Sequence, residues 1–330
     1  MKICLLSRFF NLKTNSGIGR VGIEVRDRLV KRGYAVTALQ VNSESHLDYL
    51  KYTAWDLRHL PEADIYHCIT PMESIHLPKD KSVSTILDLI PILHANKAGA
   101  RMNLNPVNRL LGSSYFKYAV KQAVKCKHIV TISEETKSDL VRLFDVPENK
   151  ISVLYPGIRE DLEPKESWHP NFTIGYLGQL DHRKRVDLLI KAFKDANING
   201  ELLIAGTGPD ESKLRELAGT DNRIKFLGFI PDDKICDFYN SIDLFCFPTA
   251  CEGFGLPLVE AMACKKPVII FRDSIIPEGI KKRCLIYEDY GFSGAVKLFT
   301  LNTNYIFAKS CTWDRYVDGL EKIFKDVLNG

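Results

Sequence analysis

Two acidic residues, Glu252 and Glu260, bracket the run Gly253-Phe254-Gly255-Leu256-Pro257-Leu258-Val259. Pro257 suits the first turn of a helix, so Glu252 falls in the turn before it and Glu260 roughly one and a half to two turns into it. Both carboxylates would then face one ligand at different depths. A carboxylate accepts hydrogen bonds from vicinal hydroxyls, and the amides around Phe254, Gly255 and Leu256 suit sugar hydroxyls or phosphate oxygens. The plain alternative for Glu252 is an acid that merely complements the helix dipole. A second group, Arg183-Lys184-Arg185, stands between an apolar run ending at Leu177 and a helical stretch beginning at Val186. Three cations at the mouth of a strand make a positive field fit for a diphosphate; a solvated charge run is the alternative, less comfortable because cations oppose the dipole at a helix start. A third, Gly17-Ile18-Gly19, follows the first apolar run and is either a phosphate or substrate contact or a tight turn. It lacks the third glycine and the acidic residue of a dinucleotide fingerprint.

The elements that must carry these residues alternate short β-branched runs with amphipathic helical segments, the pattern of parallel strands joined by crossover helices. Strands are expected at 2–7, 34–41, 64–69, 82–87, 128–132 and 151–154, with a helix over 21–32 closed by Gly33. The alternation breaks between Tyr155 and Pro170 and restarts with strands at 172–177, 201–205, 224–227, 244–247 and 267–271 and helices at 186–196, 211–217, 232–240 and 256–263. The fold class is therefore α/β, with two Rossmann-like parallel-sheet domains facing across a cleft, where ligands of such sheets sit. The expected boundaries are 1–160, 161–310, and a C-terminal segment 311–330 whose residues 312–328 read as an amphipathic helix.

The 330 residues, 45% of them hydrophobic, suffice for two cores, and disorder is excluded. A net charge of +4 excludes a dedicated nucleic-acid-coating protein, leaving nucleic acid a disfavoured partner. No run of eighteen apolar residues is present, and the apolar start Ile3 to Leu6 is too short for a signal peptide. Nine cysteines without a CxxC pair or a His/Cys cluster read as reduced structural thiols, which points to a cytoplasmic location. The stretch from Lys97 to His128 has no aspartate or glutamate, and Lys117, Lys121 and Lys125 form an i, i+4 stripe opposite Phe116, Val120, Ala123 and Val124. The stripe is either an ordinary solvated face or a peripheral contact with anionic lipid or a polyprenyl-phosphate-linked acceptor at the cytoplasmic face of a membrane.

The double-glutamate segment, followed by Lys266-Pro267-Val268-Ile269, resembles the signature of the retaining family-4 glycosyltransferases of the GT-B fold, within glycosyl transferases group 1. The stretches 129–134, 138–140 and 151–158 are similar to the end of that family's N-terminal domain, and Gly206-Thr207-Gly208-Pro209 and 226–232 to its nucleotide-side loops. The resemblance implies that Lys184 binds phosphate, Glu252 lies near the donor sugar, and Glu260 holds the ribose hydroxyls. It further implies that Phe254, Gly255 and Leu256 touch sugar and phosphate through their backbone, that Gly206 and Gly208 line the nucleotide side, and that Gly17 and Gly19 face the phosphates and the acceptor. The C-terminal helix would pack back on the N-terminal domain.

Two positions depart from the pattern. Gln179 stands where the family carries an arginine, so the second diphosphate cation falls to Arg183 or Arg185. Leu87 stands where a histidine usually precedes the aspartate, here Asp88; that histidine's sugar contact is either absent or taken by His94. Asp88 itself is either an acceptor or sugar contact, or a strand-end cap.

The resemblance implies transfer of a hexose from a GDP- or UDP-linked sugar, with retention and with neither metal nor cofactor, to a glycan or lipid-linked acceptor, as in polysaccharide biosynthesis. The stretch 88–91 looks somewhat like mannosyltransferases. Other expectations left open are an epimerase-like enzyme of the same fold and a nucleotide-sugar-binding module impaired by Gln179 and Leu87.

Overall fold

The computed structural model describes residues 1–7, 17–40, 56–93, 106–166, 171–196, 198–288, 291–292 and 302–330. Among these the chain divides into two compact units, one from Met1–Leu93, Asn105–Gly157 and Cys311–Gly330, the other from Ile158–Ser310. The boundary at Gly157 and Ile158 falls within the break in the sequence pattern between Tyr155 and Pro170.

The first unit is built on six parallel strands, β1 Lys2–Leu6, β2 Ala35–Leu39, β3 Ile65–Cys68, β4 Ser82–Ile86, β5 His128–Thr131 and β6 Ile151–Val153, in the order β2-β1-β3-β4-β5-β6. Parallel strands covered on both faces are apolar at nearly every position. Ile3, Cys4, Leu5 and Leu6 of β1 are accordingly fully buried, and all five residues of β4 are buried. The helix after β1 runs Gly17–Lys31. It starts earlier than the expected Val21, so Gly17 and Gly19 lie in its first turn rather than in a preceding loop; Asn15 and Ser16 lie outside the described residues. Glycine costs a helix roughly 1 kcal/mol per residue, which is why the sequence pattern hides this turn.

The second unit carries β7 Phe172–Leu177, β8 Gly200–Ala205, β9 Ile224–Gly228, β10 Leu244–Cys246, β11 Val268–Ile270 and β12 Leu285–Ile286, in the order β12-β11-β10-β7-β8-β9, again with every pairing parallel. Counted from its own first strand this is 3-2-1-4-5-6, the doubly wound order, which reverses between β7 and β10. Helices Val186–Asp195, Glu211–Ala218, Ile235–Asn240 and Leu256–Ala263 connect them. The last is apolar nearly all round, with every residue from Leu258 to Ala263 buried. The edge strand β12 is absent from the sequence pattern because two residues show no periodicity, and the helix Asn302–Ser310 is absent from it as well.

The terminal helix Trp313–Asn329 buries Trp313, Tyr316, Val317, Leu320, Ile323, Phe324 and Val327, one stripe at 3- and 4-residue spacing. Thr312 caps it by accepting from Arg315 N at 3.2 Å. It packs on the first unit: the Phe324 ring meets His67 edge-on at 5.4 Å, and Arg32 reaches Asp314, Asp318 and Glu321 together. Backbone meets backbone at Gly157, where a Cβ would stand 2.2 Å from Trp313 N. Burial alone pushes His67 down to about 3, so it packs as a neutral ring, its Nε2 2.8 Å from the Thr85 hydroxyl.

Candidate functional site

In an open parallel sheet the loops that leave neighbouring strands diverge where the order reverses, and ligands bind there beyond the carboxyl ends. In the second unit those loops follow β7 and β10, whose residues pair Leu244 with Ile174 and Phe245 with Gly175. The β7 loop turns at His182–Lys184, capped by Asp181, whose Oδ1 accepts from Lys184 N at 3.1 Å. The β10 loop runs from Phe247 to Gly255, where φ is +92° and the helix Leu256–Ala263 begins. Backbone hydrogen bonds join the pieces: Ala250 N donates to Arg183 O at 2.8 Å and Glu252 N to Ile275 O at 2.9 Å.

This framework gathers three donors on one carboxylate oxygen. Glu252 Oε1 accepts from Arg183 Nη1, Lys184 Nζ and Thr249 Oγ1, each at 2.6 Å. Arg183 Nη1 also donates to the Cys251 carbonyl at 2.7 Å, and Lys184 Nζ lies 4.6 Å from the centre of the Phe247 ring. Arg183 and Lys184 are only 6% and 7% exposed, unusual for cations unless they are paired. Burial by itself would raise the Glu252 carboxyl, but Lys184 and Arg183 beside it outweigh that and hold it down to about 2. Burial pushes Lys184 down to about 8, against the pull of Glu252. The arrangement is a buried pocket in which Arg183 and Lys184 face two carboxylates, Glu252 and Asp181. Two polar atoms in it, Arg183 Nε and Asp181 Oδ2, are buried with no protein partner.

Arg185 does not join them, which corrects the expectation of three cations acting together. Its left-handed backbone (φ 51°) turns the side chain aside, and its guanidinium donates to the carbonyls of Pro248 and Thr249 at 2.7 and 2.9 Å and pairs with Asp273 at 2.6 Å. Such a conformation costs a non-glycine residue about 1–3 kcal/mol, here offset by those bonds. Arg185 is a strut under the β10 loop.

Glu260 sits on the first turns of Leu256–Ala263, 8% exposed, and its Oε2 accepts from the Tyr239 hydroxyl at 3.0 Å. Phe254 is buried in the turn before the helix, and Gly255 and Leu256 head it. Gln179 is exposed, and its carbonyl takes the Tyr176 hydroxyl at 2.8 Å. Gly206 and Gly208 press the β8 loop against the β7 loop: a Cβ on Gly206 would stand 1.8 Å from Gly178 O, and one on Gly208 2.3 Å from Leu180 O.

Asp88 and Gly17 and Gly19 belong to the first unit. The Asp88 carboxylate accepts from Ile90 N at 3.0 Å and so caps the turn Ile90–Leu93, the strand-end role held open in the sequence. His94 lies outside the described residues. Thr249 and Asp181 escape sequence reasoning. Asp181 carries a legible signal, an acid three residues before Lys184 in a capping position; Thr249 carries none.

Residues 158–327, over half of the chain, match the family glycosyl transferases group 1. A glycosyltransferase of Methanocaldococcus jannaschii, itself uncharacterised, is 31% identical over 161 residues, 43% of this chain and 41% of that one. The O-antigen chain mannosyltransferase B of Escherichia coli is 27% identical over 183 residues, 49% of this chain and 48% of that one. The chain thus spans less than half the length of these two curated relatives. Among solved structures, HepE of Anabaena in complex with UDP and glucose superposes with a TM-score of 0.68 at 16% identity, over 99% of this chain and 100% of that one, which is a likeness of fold. With two parallel six-stranded sheets in the GT-B pattern and the family match across the unit that carries Lys184, Glu252 and Glu260, the chain belongs to the glycosyl transferases group 1.

Proposed function

We propose that the chain transfers a hexose from a nucleotide-diphosphate sugar to a glycan or lipid-linked acceptor, with retention and without a metal ion or cofactor. The observation that carries the reading is the convergence of Arg183 and Lys184 at the end of β7, beside the helix start at Leu256. Two cations in a buried setting stabilise the negative charge that grows on a departing diphosphate far better than they would in water. Lys184 and Arg183 are the diphosphate cations, Arg183 standing in for the arginine that Gln179 displaces. Glu252 accepts from the sugar hydroxyls and Glu260 from the ribose. The amides of the turn Phe254, Gly255 and Leu256 complete the phosphate contacts, and Gly17, Gly19 and Asp88 are assigned to the acceptor side. Retention rests on the family resemblance; a front-face displacement, in which the leaving phosphate removes the acceptor proton, requires no basic side chain. Similarity to an O-antigen mannosyltransferase favours polysaccharide biosynthesis and a mannosyl donor, while the UDP and glucose of HepE keep a UDP-linked donor in play.

The test is thermal unfolding with UDP, GDP and ADP and their sugars. One nucleoside diphosphate is expected to raise Tm selectively, since a ligand at 100 times its Kd adds about 2.7 kcal/mol. No shift with any of them at millimolar concentration would remove the reading.

We further assign the helix Pro106–Ala123, with Lys125 in the turn just after it, a peripheral role at an anionic membrane surface, on the cytoplasmic face. Lys117, Lys121 and Lys125 are exposed, Tyr115 and Tyr118 are exposed beside them, and Val120 and Ala123 anchor the opposite side in the core. Aromatic rings with polar tips and lysines on one face suit the headgroup layer. No helix among the described residues is long and apolar enough to cross a membrane. Sedimentation with vesicles containing phosphatidylserine should fall at least about tenfold when the three lysines become glutamine, each being worth about 1 kcal/mol near such a surface; unchanged binding would contradict the assignment.

A further inference from the structure

Both cations assigned to the diphosphate are already engaged in this structure, and by the same atom. Glu252 Oε1 holds Arg183 Nη1 and Lys184 Nζ at 2.6 Å each, and Thr249 Oγ1 fixes that oxygen from a third side at the same distance. The pocket is nonetheless incomplete, because Arg183 Nε is buried without a partner and an ammonium carries more donors than the one spent on Glu252. An arriving diphosphate brings several anionic oxygens to a place where one carboxylate now stands. Two anions on one pair of cations repel, so the carboxylate and the diphosphate compete for Arg183 and Lys184. A displaced carboxylate would then be turned out at the position where a sugar attached to that phosphate presents its hydroxyls.

Resting on the donor reading above, we propose that Glu252 is an internal competitor of the diphosphate. It holds Lys184 and Arg183 while the site is empty, yields them to the donor and accepts the sugar hydroxyls in exchange, and retakes the cations after transfer, which expels the nucleoside diphosphate. The carboxylate thereby sets product affinity as well as sugar position. No bond is made or broken in the exchange; only hydrogen-bond partners change.

The inference predicts that removing the negative charge improves product binding while it harms turnover. Glu252→Gln keeps the shape and an acceptor oxygen but not the charge. Calorimetric titration with UDP and GDP, and with inorganic pyrophosphate as a base-free probe, is made at several pH values from 5.5 to 7.5 and compared at the lowest, because Glu252→Gln removes the carboxylate that holds Lys184 up against burial. Glu252→Gln should bind the diphosphate preferred by the wild type about tenfold more tightly, and pyrophosphate likewise. Thr249→Val, nearly isosteric, removes one donor from the same oxygen and should tighten binding about two- to threefold. If folded Glu252→Gln binds no more tightly than the wild type, or, should it not fold, if Thr249→Val does not, the inference is overturned while the donor reading stands. If the wild type binds none of the three probes, the donor reading falls and this inference with it.

Discussion

Replacing Lys184 by methionine is expected to lower kcat/KM by about three orders of magnitude, equivalent to about 4 kcal/mol of transition-state stabilisation, with the fold retained. Methionine keeps an unbranched apolar side chain of similar length, so the change chiefly removes the charge, including the ammonium that lies 4.6 Å from the centre of the Phe247 ring. The loss should fall mainly on kcat, since charge on the leaving diphosphate is greatest as the glycosidic bond breaks. Glu252 retains Arg183 and Thr249 as partners in this variant, so its carboxylate is not stranded. Steady-state rates of nucleoside diphosphate release, with circular dichroism to verify folding, provide the measurement. A folded Lys184→Met with near-normal rates would show that the buried ammonium serves only to pair with Glu252.

Gly206→Ala is expected to unfold the second unit or destabilise it by about 3–5 kcal/mol. Its φ of +126° excludes an L side chain without strain, and the added Cβ would meet the carbonyl oxygen of Gly178 at 1.8 Å, a backbone atom held in place because Gly178 N donates to Ala205 O. Moving one loop would also break Leu180 N to Thr207 O and Gly206 N to Gly228 O, which align the ends of β7, β8 and β9. Urea unfolding monitored by fluorescence reports the loss, with Gly279→Ala as the control, since a methyl group there would have nothing within 4 Å. A stable Gly206→Ala altered only in donor KM would mean that this glycine acts through the nucleotide alone.

The resemblance places Gly206 and Gly208 at the nucleotide side, and the structure adds a packing demand that holds without any ligand. Comparable limits run through the chain. The strand Phe172–Leu177 and the helix Leu256–Ala263 are legible in the sequence, since six apolar or small residues before a glycine turn and Pro257 at a helix start leave little choice. The double glutamate is legible as chemistry. Which of Arg183 and Arg185 faces Glu252 is not, because it depends on a left-handed backbone at Arg185 that its carbonyl partners select from distant parts of the sequence. Asp88 as a cap and Gly17 as a helical residue are obscured for a related reason: a short polar or small residue fits a turn and a site equally well until its hydrogen bonds are seen. The order of the second sheet, which puts β10 beside β7 and so Glu252 beside Lys184, is a non-local fact that periodicity does not carry.

The most direct test is a crystal structure of the chain with its preferred nucleotide-diphosphate sugar bound. The account predicts diphosphate oxygens at about 3 Å from Lys184 Nζ, with the sugar hydroxyls on Glu252 and the ribose on Glu260. A donor whose phosphates lie away from both Lys184 and the turn at Phe254 to Leu256 would contradict it.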